Sequence, residues 1–157
     1  MGSRLMVIRP FTEGDIEAAV ALESASQPKP WTASVFSDEL DAPDRVYLVA
    51  DDTGVVGFGG LMMVGEEAHV TNLLVDPALR GQGIGRRLLV SLMEKAIDGG
   101  ARHLTLEVRI GNQAARALYT SAGLAPVGVR PGYFGDEDAL IMWAHEIDSP
   151  EFLENLA

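Results

Sequence analysis

The chain has 157 residues, of which 47% are apolar and none is cysteine. A chain of this length forms about one ordinary domain, and no run in it approaches the ~18 uncharged apolar residues of a membrane span. Without cysteine there are no disulfides, thiol nucleophiles or cysteine-bound metals, and the three histidines lack metal-ligand spacing, so we expect no metal site. The first ten residues lack a signal-like apolar stretch, which predicts a cytoplasmic location.

Charge is distributed unevenly along the sequence. Lys and Arg number 12 against 23 Asp and Glu, a net charge of −11. Residues 80–130 hold eight of the bases and three of the acids, so this segment is net positive by five and the remainder net negative by 16. The acidic remainder should repel nucleic acid, whereas a small polyanion suits the basic segment and a cationic partner suits the acidic parts. A surface that serves only solubility can carry the same bias.

The first half of the chain predicts a strand, two helices and three further strands. Thr12 with Asp15 resembles a capping box and opens the first helix, and Thr32 is the expected cap of the second. Asp51-Asp52-Thr53-Gly54 has the composition of a hairpin turn. The predicted strands are residues 5–9, 45–50, 55–64 and 69–75, and the predicted helices are residues 12–25 and 32–40.

The second half predicts alternating strands and helices. Apolar residues recur every four positions from Ile84 to Ala96, and Gly99-Gly100 ends that helix. The predicted helices are residues 83–98 and 112–122, and the predicted strands are residues 103–109, 125–130 and 139–146. We therefore predict one α/β domain over residues 1–148 with a mixed sheet, followed by a loose acidic tail over residues 149–157.

A glycine-rich turn, Arg80-Gly81-Gln82-Gly83-Ile84-Gly85-Arg86, lies between the strand ending at Val75 and the next helix. The first turn of a helix presents unpaired N–H groups, and glycine lets a ligand approach the main chain, so this turn can hold a pyrophosphate. The same glycines can also serve only a tight turn. Their spacing differs from the dinucleotide fingerprint and from the P-loop, which disfavours a nucleotide-binding oxidoreductase.

Several motifs resemble the Gcn5-related N-acetyltransferases. Residues 72–77, Asn-Leu-Leu-Val-Asp-Pro, followed by residues 80–85, resemble the acetyl-CoA-binding motif of that family. Residues 104–124 and the segment Pro30-Trp31-Thr32 resemble its bacterial RimI branch, whose members acetylate protein N-termini. The likeness spans residues 8–147. It implies about seven mostly antiparallel strands with a central parallel pair, and four helices.

The resemblance implies that acetyl-CoA is the cosubstrate. It implies that strand backbone groups pair with the pantetheine arm and that amides of the glycine-rich turn hold the pyrophosphate. Asn112 matches a position that binds the arm further along, although it can equally be only a helix cap. The cofactor-binding residues so implied are Leu73, Leu74, Val75, Arg80, Gly81, Gln82, Gly83, Ile84, Gly85, Arg86 and Asn112.

Two further residues match the catalytic positions of the family, Glu107 as general base and Tyr119 as general acid. A mid-strand carboxylate can take a proton from an ammonium, and a tyrosine hydroxyl can protonate a departing thiolate. Each also has a structural interpretation, Glu107 as a surface carboxylate and Tyr119 as a core residue. The family's second tyrosine after the sixth strand is Phe134 here, behind Tyr133, and the loop Gly135-Asp136-Glu137 is short.

The expected activity is acetyl transfer from acetyl-CoA to a primary amine by direct attack in a ternary complex, because no cysteine or serine triad offers an acyl-enzyme route. The acceptor that the resemblance implies is a protein or peptide N-terminus, that of a ribosomal protein included. An α-amine ordinarily has a pKa of about 8 and a lysine side chain one of about 10.4, so the α-amine is the more readily deprotonated acceptor at neutral pH. A small-molecule or lysine acetyltransferase and a non-catalytic CoA-binding regulatory module stay open as alternatives. Neither nucleic acid nor a membrane is an expected partner.

Overall fold

The computed structural model describes residues 6–156, which contain seven strands, five α-helices and two short 3-10 helices. The strands are β1 Val7–Pro10, β2 Arg45–Asp51, β3 Val55–Val64, β4 Glu67–Val75, β5 His103–Arg109, β6 Ala125–Arg130 and β7 Ala139–His145. The helices are α1 Ile16–Ser26, α2 Ala33–Asp41, α3 Ile84–Asp98, α4 Gln113–Ser121 and α5 Pro150–Leu156. Every strand and helix predicted above has its counterpart here, while Leu5 of the predicted first strand lies outside the described residues. No described helix is long and apolar enough to span a bilayer.

The strands form one sheet in the order β1-β2-β3-β4-β5-β7-β6. The pairs β1–β2, β2–β3, β5–β7 and β6–β7 are antiparallel. β4 and β5 are parallel, with Glu67–His69 opposite His103–Thr105. The predicted mixed sheet with a central parallel pair is therefore confirmed.

The described chain divides into two compact units. The first unit comprises residues 6–62 and 71–92, and the second comprises residues 63–70 and 93–156. β4 and α3 each contribute residues to both units. The single domain over residues 1–148 stays a prediction.

Aromatic side chains form the core of the first unit. The rings of Phe11 and Phe36 stack with their centroids 5.8 Å apart, and Phe58 meets Phe36 edge-on at 5.4 Å. Trp31 packs edge-on against Phe36 at 5.3 Å. Aromatic pairs at these separations add stabilisation beyond the area that they bury. Thr32 accepts the Val35 amide at 3.4 Å and so caps α2 as predicted.

The start of α1 is held by the predicted capping box of Thr12 and Asp15 and by a charged pair. Asp15 accepts the Thr12 amide at 2.8 Å, and residues 13–15 form a 3-10 turn before the α-helix. Arg9 donates two hydrogen bonds to the Asp15 carboxylate, at 2.9 and 2.8 Å. These bonds lower the pKa of Asp15 to about 2, so its negative charge is stabilised at neutral pH.

Glycines in β3 allow close packing of the elements that lead to the glycine-rich turn. A Cβ on Gly59 would lie 2.9 Å from the side chains of Leu73 and Leu92, and a Cβ on Gly57 would lie 2.9 Å from the Leu74 carbonyl oxygen. Such distances are shorter than carbon contacts allow. Because Gly57 and Gly59 have no side chains, β4 and α3 can pack directly against β3.

The second unit packs one face of β5 into its core. Leu104, Leu106 and Val108 are buried, whereas Thr105 and Glu107 alternate with them on the opposite face. This period of two is that of a strand with one apolar face. Glu107 is thereby directed away from the apolar core.

The predicted loose tail is wrong, because residues 150–156 form α5. Ser149 begins this helix, since its hydroxyl accepts the Phe152 amide at 3.2 Å, and Pro150 occupies the first helical position. Serine caps and first-position prolines both favour helix starts. A Cβ on Gly123 would lie 2.7 Å from the Phe152 ring, so this ring packs on the end of α4. Residues 6–156 accordingly contain five α-helices instead of the four implied by the resemblance.

Candidate active site

The glycine-rich turn forms an open cradle at the start of α3. Gly81 and Gly83 have φ values of +82° and +83°, and no described atom lies within 4 Å of a Cβ built on either residue. The Arg87 amide donates to the Gly83 carbonyl at 3.1 Å, so α3 begins there, and the first turn of a helix presents amides that have no acceptor within the helix. Exposed amides at the positive end of a helix dipole suit a pyrophosphate. The residues present therefore fit the phosphates of a CoA thioester.

The end of β4 is anchored directly after its predicted pantetheine-binding residues. Leu74 is buried in the aromatic core, while Leu73 and Val75 are half-buried. The Asp76 amide donates to the Val56 carbonyl at 2.8 Å, and the Asp76 carboxylate accepts the Ala78 amide at 3.0 Å. These bonds fix the backbone that enters the turn.

The remaining predicted residues of the turn differ in exposure. Arg80 and Gln82 are exposed, Gly85 and Arg86 are half-buried, and Ile84 is buried. The buried Ile84 anchors the helix start, which leaves the polar side chains at the surface. Their contacts with a cosubstrate stay predictions.

Glu107 lies in a polar cluster of the second unit. Its side chain is only 8% exposed, and its Oε1 lies 2.6 Å from His69 Nε2. Its Oε2 lies 3.6 Å from Nε of Arg130, which comes from β6. The register explains the contact with His69, because His69 stands opposite Thr105 and Glu107 follows Thr105 on the same face of β5. Glu107 is thus not the freely exposed carboxylate of its structural interpretation.

Tyr133 extends this polar cluster. Arg130 places its guanidinium 5.7 Å from the centre of the Tyr133 ring. Burial, together with the negative charge of Glu107, raises the pKa of Tyr133. The Tyr133 hydroxyl is therefore protonated at neutral pH.

Arg109 organises the loop between β6 and β7. Its guanidinium donates to Asp136 at 2.8 Å and to Glu137 at 3.4 Å, and it lies 4.6 Å from the centre of the Phe134 ring. Glu137 also accepts the Gly111 amide at 2.6 Å. The shortened loop is therefore held by charged hydrogen bonds to the end of β5.

Asn112 acts as the cap of α4. Its side-chain oxygen accepts the Ala115 amide at 3.1 Å, and the residue is exposed. The capping interpretation is confirmed by this bond. Contact between Asn112 and the cosubstrate arm stays a prediction.

Tyr119 is almost entirely buried on α4, with 7% of its surface exposed. Burial raises the pKa of its hydroxyl to about 12, because the charged phenolate is disfavoured away from water. The hydroxyl therefore carries its proton throughout the neutral range. This state is required of a proton donor, and it equally suits a core tyrosine.

Comparison with known proteins identifies the family of this chain. The model of the Acetyltransferase (GNAT) family matches residues 16–124, which include the glycine-rich turn, Glu107 and Tyr119. The chain belongs to the GNAT family. The resemblance first noticed in the motifs is thereby confirmed.

Similar GNAT proteins come from several bacteria. A Bacillus subtilis protein named for alanine N-acetylation of ribosomal protein bS18 is 40% identical over 82% of this chain and 88% of its own length. The N-alpha-acetyltransferase RimI of Mycobacterium tuberculosis is 38% identical over 82% of this chain and 84% of its own. The crystal structure of the ribosomal-protein-S18-alanine N-acetyltransferase from Escherichia coli superposes with a TM-score of 0.82 at 31% identity, covering 90% of this chain and 94% of that one.

Sequence reasoning missed two neighbours of Glu107 in this GNAT chain. His69 lies 38 positions before Glu107, and Arg130 lies on an edge strand. Only the parallel register of β4 and β5 brings the histidine to the carboxylate. A usable signal was the placement of a histidine and a glutamate in adjacent predicted strands of the parallel pair.

Proposed function

We propose that this GNAT enzyme transfers an acetyl group from acetyl-CoA to the N-terminal α-amine of a protein, with the alanine terminus of a ribosomal protein as its acceptor. Family membership and the open cradle at the start of α3 support the use of acetyl-CoA. The names of the bacterial relatives support the acceptor. A cysteine-free chain and an acceptor made on ribosomes suit the cytoplasm.

The contact between Glu107 and His69 is the observation that carries this proposal. A carboxylate with 8% exposure beside an imidazole at 2.6 Å has a fixed orientation and few competing water contacts. A general base needs this placement, because it must meet the proton of a positioned amine directly or through one water. We infer that His69 positions the Glu107 carboxylate and that Glu107 accepts the proton.

The nitrogen loses two protons between the α-ammonium and the amide, and the CoA sulfur gains one. The first amine proton goes to Glu107, and the second restores the Tyr119 hydroxyl after Tyr119 has protonated the sulfur. Glu107 takes a proton from the α-ammonium, which frees the nitrogen lone pair to form the N–C bond with the acetyl carbon. As the C–S bond breaks, the Tyr119 hydroxyl gives its proton to the CoA thiolate. Tyr119 is suited to this role because its hydroxyl stays protonated up to about pH 12. No acyl-enzyme is formed in this scheme, so the acetyl group passes directly to the amine.

A paired-peptide assay tests the acceptor. The purified chain is incubated with acetyl-CoA and a peptide that begins with alanine and contains one internal lysine, and mass spectrometry locates the acetyl group. The control is the same peptide with its N-terminus formylated. Acetylation of the α-amine of the free peptide, with none on the formylated peptide, is the expected result.

Other results of this assay contradict the proposal in different ways. Acetylation of the lysine in both peptides identifies a lysine acetyltransferase. Turnover of spermidine or free lysine in place of peptides identifies a small-molecule enzyme. Tight acetyl-CoA binding without turnover of any amine identifies a CoA-binding regulatory module.

A further inference from the structure

Asn72 in β4 has a side-chain amide nitrogen that is buried yet unpaired. Among residues 6–156, its Nδ2 and the Ser26 hydroxyl are the buried side-chain polar atoms without a hydrogen-bond partner. A buried donor without an acceptor costs roughly 1–3 kcal/mol, so such atoms are rare in folded proteins. The nitrogen therefore needs an explanation beyond folding.

A chain of polar contacts holds the other side of the Asn72 amide. The Thr71 hydroxyl donates to Asn72 Oδ1 at 3.3 Å and lies 2.9 Å from the Tyr47 hydroxyl. Tyr47 in turn donates to Glu39 at 2.7 Å, and Arg45 pairs with Glu39 at 3.0 Å. The side-chain oxygen of Asn72 thus has a hydrogen-bond partner, and its side-chain nitrogen has none.

Exchanging the positions of Oδ1 and Nδ2 of Asn72 still leaves one buried polar atom without a partner. In the exchanged orientation Nδ2 would donate to Thr71, and the carbonyl oxygen would then be the buried unpaired atom. One polar atom of Asn72 lacks a partner in either orientation. The residue as a whole is half-buried, so part of its surface is open to a ligand.

The position of Asn72 points to the missing acceptor. It directly precedes Leu73, the first of the residues whose backbone is predicted to pair with the pantetheine arm, and both belong to the first unit. The acyl-pantetheine end of acetyl-CoA is rich in carbonyl oxygens, which accept hydrogen bonds and carry no charge. A neutral amide donor fits such an acceptor without the desolvation cost of a charged side chain.

We propose that Asn72 is a binding residue for acetyl-CoA whose Nδ2 donates to a carbonyl oxygen of the acyl-pantetheine arm. This rests on the proposed use of acetyl-CoA. The acceptor is either the thioester carbonyl or one of the two amide carbonyls of the pantetheine. In the free protein Nδ2 of Asn72 has no partner, and in the bound state the cosubstrate supplies one.

Asn72→Leu tests this role because leucine has nearly the same shape and no polar atom. The substitution removes one unpaired buried nitrogen and one hydrogen bond from Thr71, so the melting temperature should change little, while acetyl-CoA binds at least fivefold more weakly in calorimetric titration. An asparagine that only supports the strand would lower stability when replaced. Asn72→Ala provides a second variant, with the same expected loss of affinity, in case leucine does not fold.

Ser26→Ala is the matched control, because it also removes an unpaired buried polar atom. Its acetyl-CoA affinity should equal that of the unaltered chain. Equal affinity of the Asn72 variants and the unaltered chain overturns the proposal, and so does a weakened acceptor KM with unchanged acetyl-CoA affinity. A fall in melting temperature that accompanies the affinity loss in both variants overturns it as well.

Titration with CoA separates the two acceptors. Weaker binding of acetyl-CoA alone assigns the bond to the thioester carbonyl, which CoA lacks, and weaker binding of both ligands assigns it to a pantetheine amide. If the unaltered chain binds neither ligand, the proposed function itself fails. Binding by the unaltered chain with no effect of the variants rejects only the role of Asn72.

Discussion

Glu107 shows how a charged residue is retained on the side of a strand opposite the core. A carboxylate with little solvent contact is costly unless hydrogen bonds or opposite charge compensate. His69 at 2.6 Å and Arg130 at 3.6 Å supply that compensation, and they come from different strands. Three strands therefore define the position of one carboxylate.

Replacing Glu107 with glutamine tests its role as base. The amide keeps the shape and a hydrogen-bond acceptor but cannot take a proton, so kcat should fall by ~100-fold or more near neutral pH. The acidic limb of the pH–rate profile should disappear, because that limb reports protonation of the base. Affinity for acetyl-CoA should not change.

Glu94→Gln is the control for this measurement. Glu94 is an exposed glutamate of α3, so the same chemical change there should leave kcat and the pH profile intact. If Glu107→Gln keeps the acidic limb, another residue takes the proton.

A substitution at Tyr119 can distinguish a catalytic role of its hydroxyl from a packing role of its ring. Tyr119→Phe keeps the ring and its apolar contacts, so the melting temperature should change little, since a neutral hydrogen bond contributes only ~1 kcal/mol. Loss of the proton donor should lower kcat ~10- to 1000-fold. Because the pKa of Tyr119 is about 12, the hydroxyl stays protonated and no basic limb below pH 10 should arise from it.

The leaving group provides the decisive comparison for Tyr119. An acyl donor whose thiol has a lower pKa needs less protonation, so the loss caused by Tyr119→Phe should shrink with that donor. Equal losses with both donors, or none with either, would assign Tyr119 to the core and thiolate protonation to water.

The sequence and the structure identify different residues of the candidate site. Glu107 and Tyr119 were chosen because they match family positions, and their burial is compatible with the assigned roles. His69 matches no family motif, and its relevance emerges only from the pairing of the two strands of the parallel pair that carry it and Glu107. The unpaired nitrogen of Asn72 was equally invisible without coordinates.

Among the elements, those with strong local chemistry were predictable. The four-residue apolar period gave α3 to within one residue, and the Thr32 and Asn112 caps are present as hydrogen bonds. The acidic composition of residues 149–157 indicates a tail, whereas Ser149 and Pro150 favour a helix start, and α5 follows the second signal. The packing of Phe152 on Gly123, which the sequence does not reveal, accompanies that helix.

Gly83→Val tests the glycine-rich turn. A Cβ at Gly83 meets no described protein atom, so its effect falls on a ligand that approaches the main chain and on the backbone at φ +83°. We expect acetyl-CoA affinity to fall at least tenfold, about 1.4 kcal/mol, while the chain stays folded. Calorimetric titration measures the affinity, and circular dichroism verifies the fold.

Gly100→Val controls for backbone strain. Gly100 has φ +96° and also no atom within 4 Å of an added Cβ, but it lies at the other end of α3. Gly100→Val should lower the free energy of unfolding about as much as Gly83→Val does, without weakening acetyl-CoA binding. Similar affinity losses in both variants would attribute the effect to strain rather than to the cradle.

Phe152→Ala tests whether α5 is a structural element. The ring lies against Gly123 at the end of α4 and is half-buried, so its removal should destabilise the protein by about 1–2 kcal/mol, measured by urea unfolding. Leu153→Ala is the comparison, because Leu153 on the same helix is 42% exposed and should have a smaller effect. If Phe152→Ala leaves the free energy of unfolding unchanged, α5 does not stabilise the fold and the prediction of a loose tail is correct.

For the whole molecule, the pattern of predicted strands and helices indicated the class of fold, and the family resemblance predicted a mostly antiparallel sheet with a central parallel pair. The strand order β1-β2-β3-β4-β5-β7-β6 places β7 between β5 and β6, an arrangement that alternation of apolar residues does not encode. Periodicity identifies which residues form a strand, but pairing partners depend on contacts far apart in sequence. The charge distribution, by contrast, is readable from sequence alone and concerns the chain as a whole.

The net charge of −11 should make catalysis with cationic acceptors sensitive to salt. Outside residues 80–130 the chain is net negative by 16, so a peptide with several lysines after its first residue is attracted over long range. Salt at ~0.5 M shortens the screening length to about 4 Å from roughly 14 Å at ~0.05 M, so kcat/KM for a basic peptide should fall several-fold over this range. A neutral peptide of equal length that begins with the same residue should change less than about twofold, with acetyl-CoA saturating in both assays. Equal salt dependence for the two peptides would show that the acidic surface serves solubility and takes no part in acceptor capture.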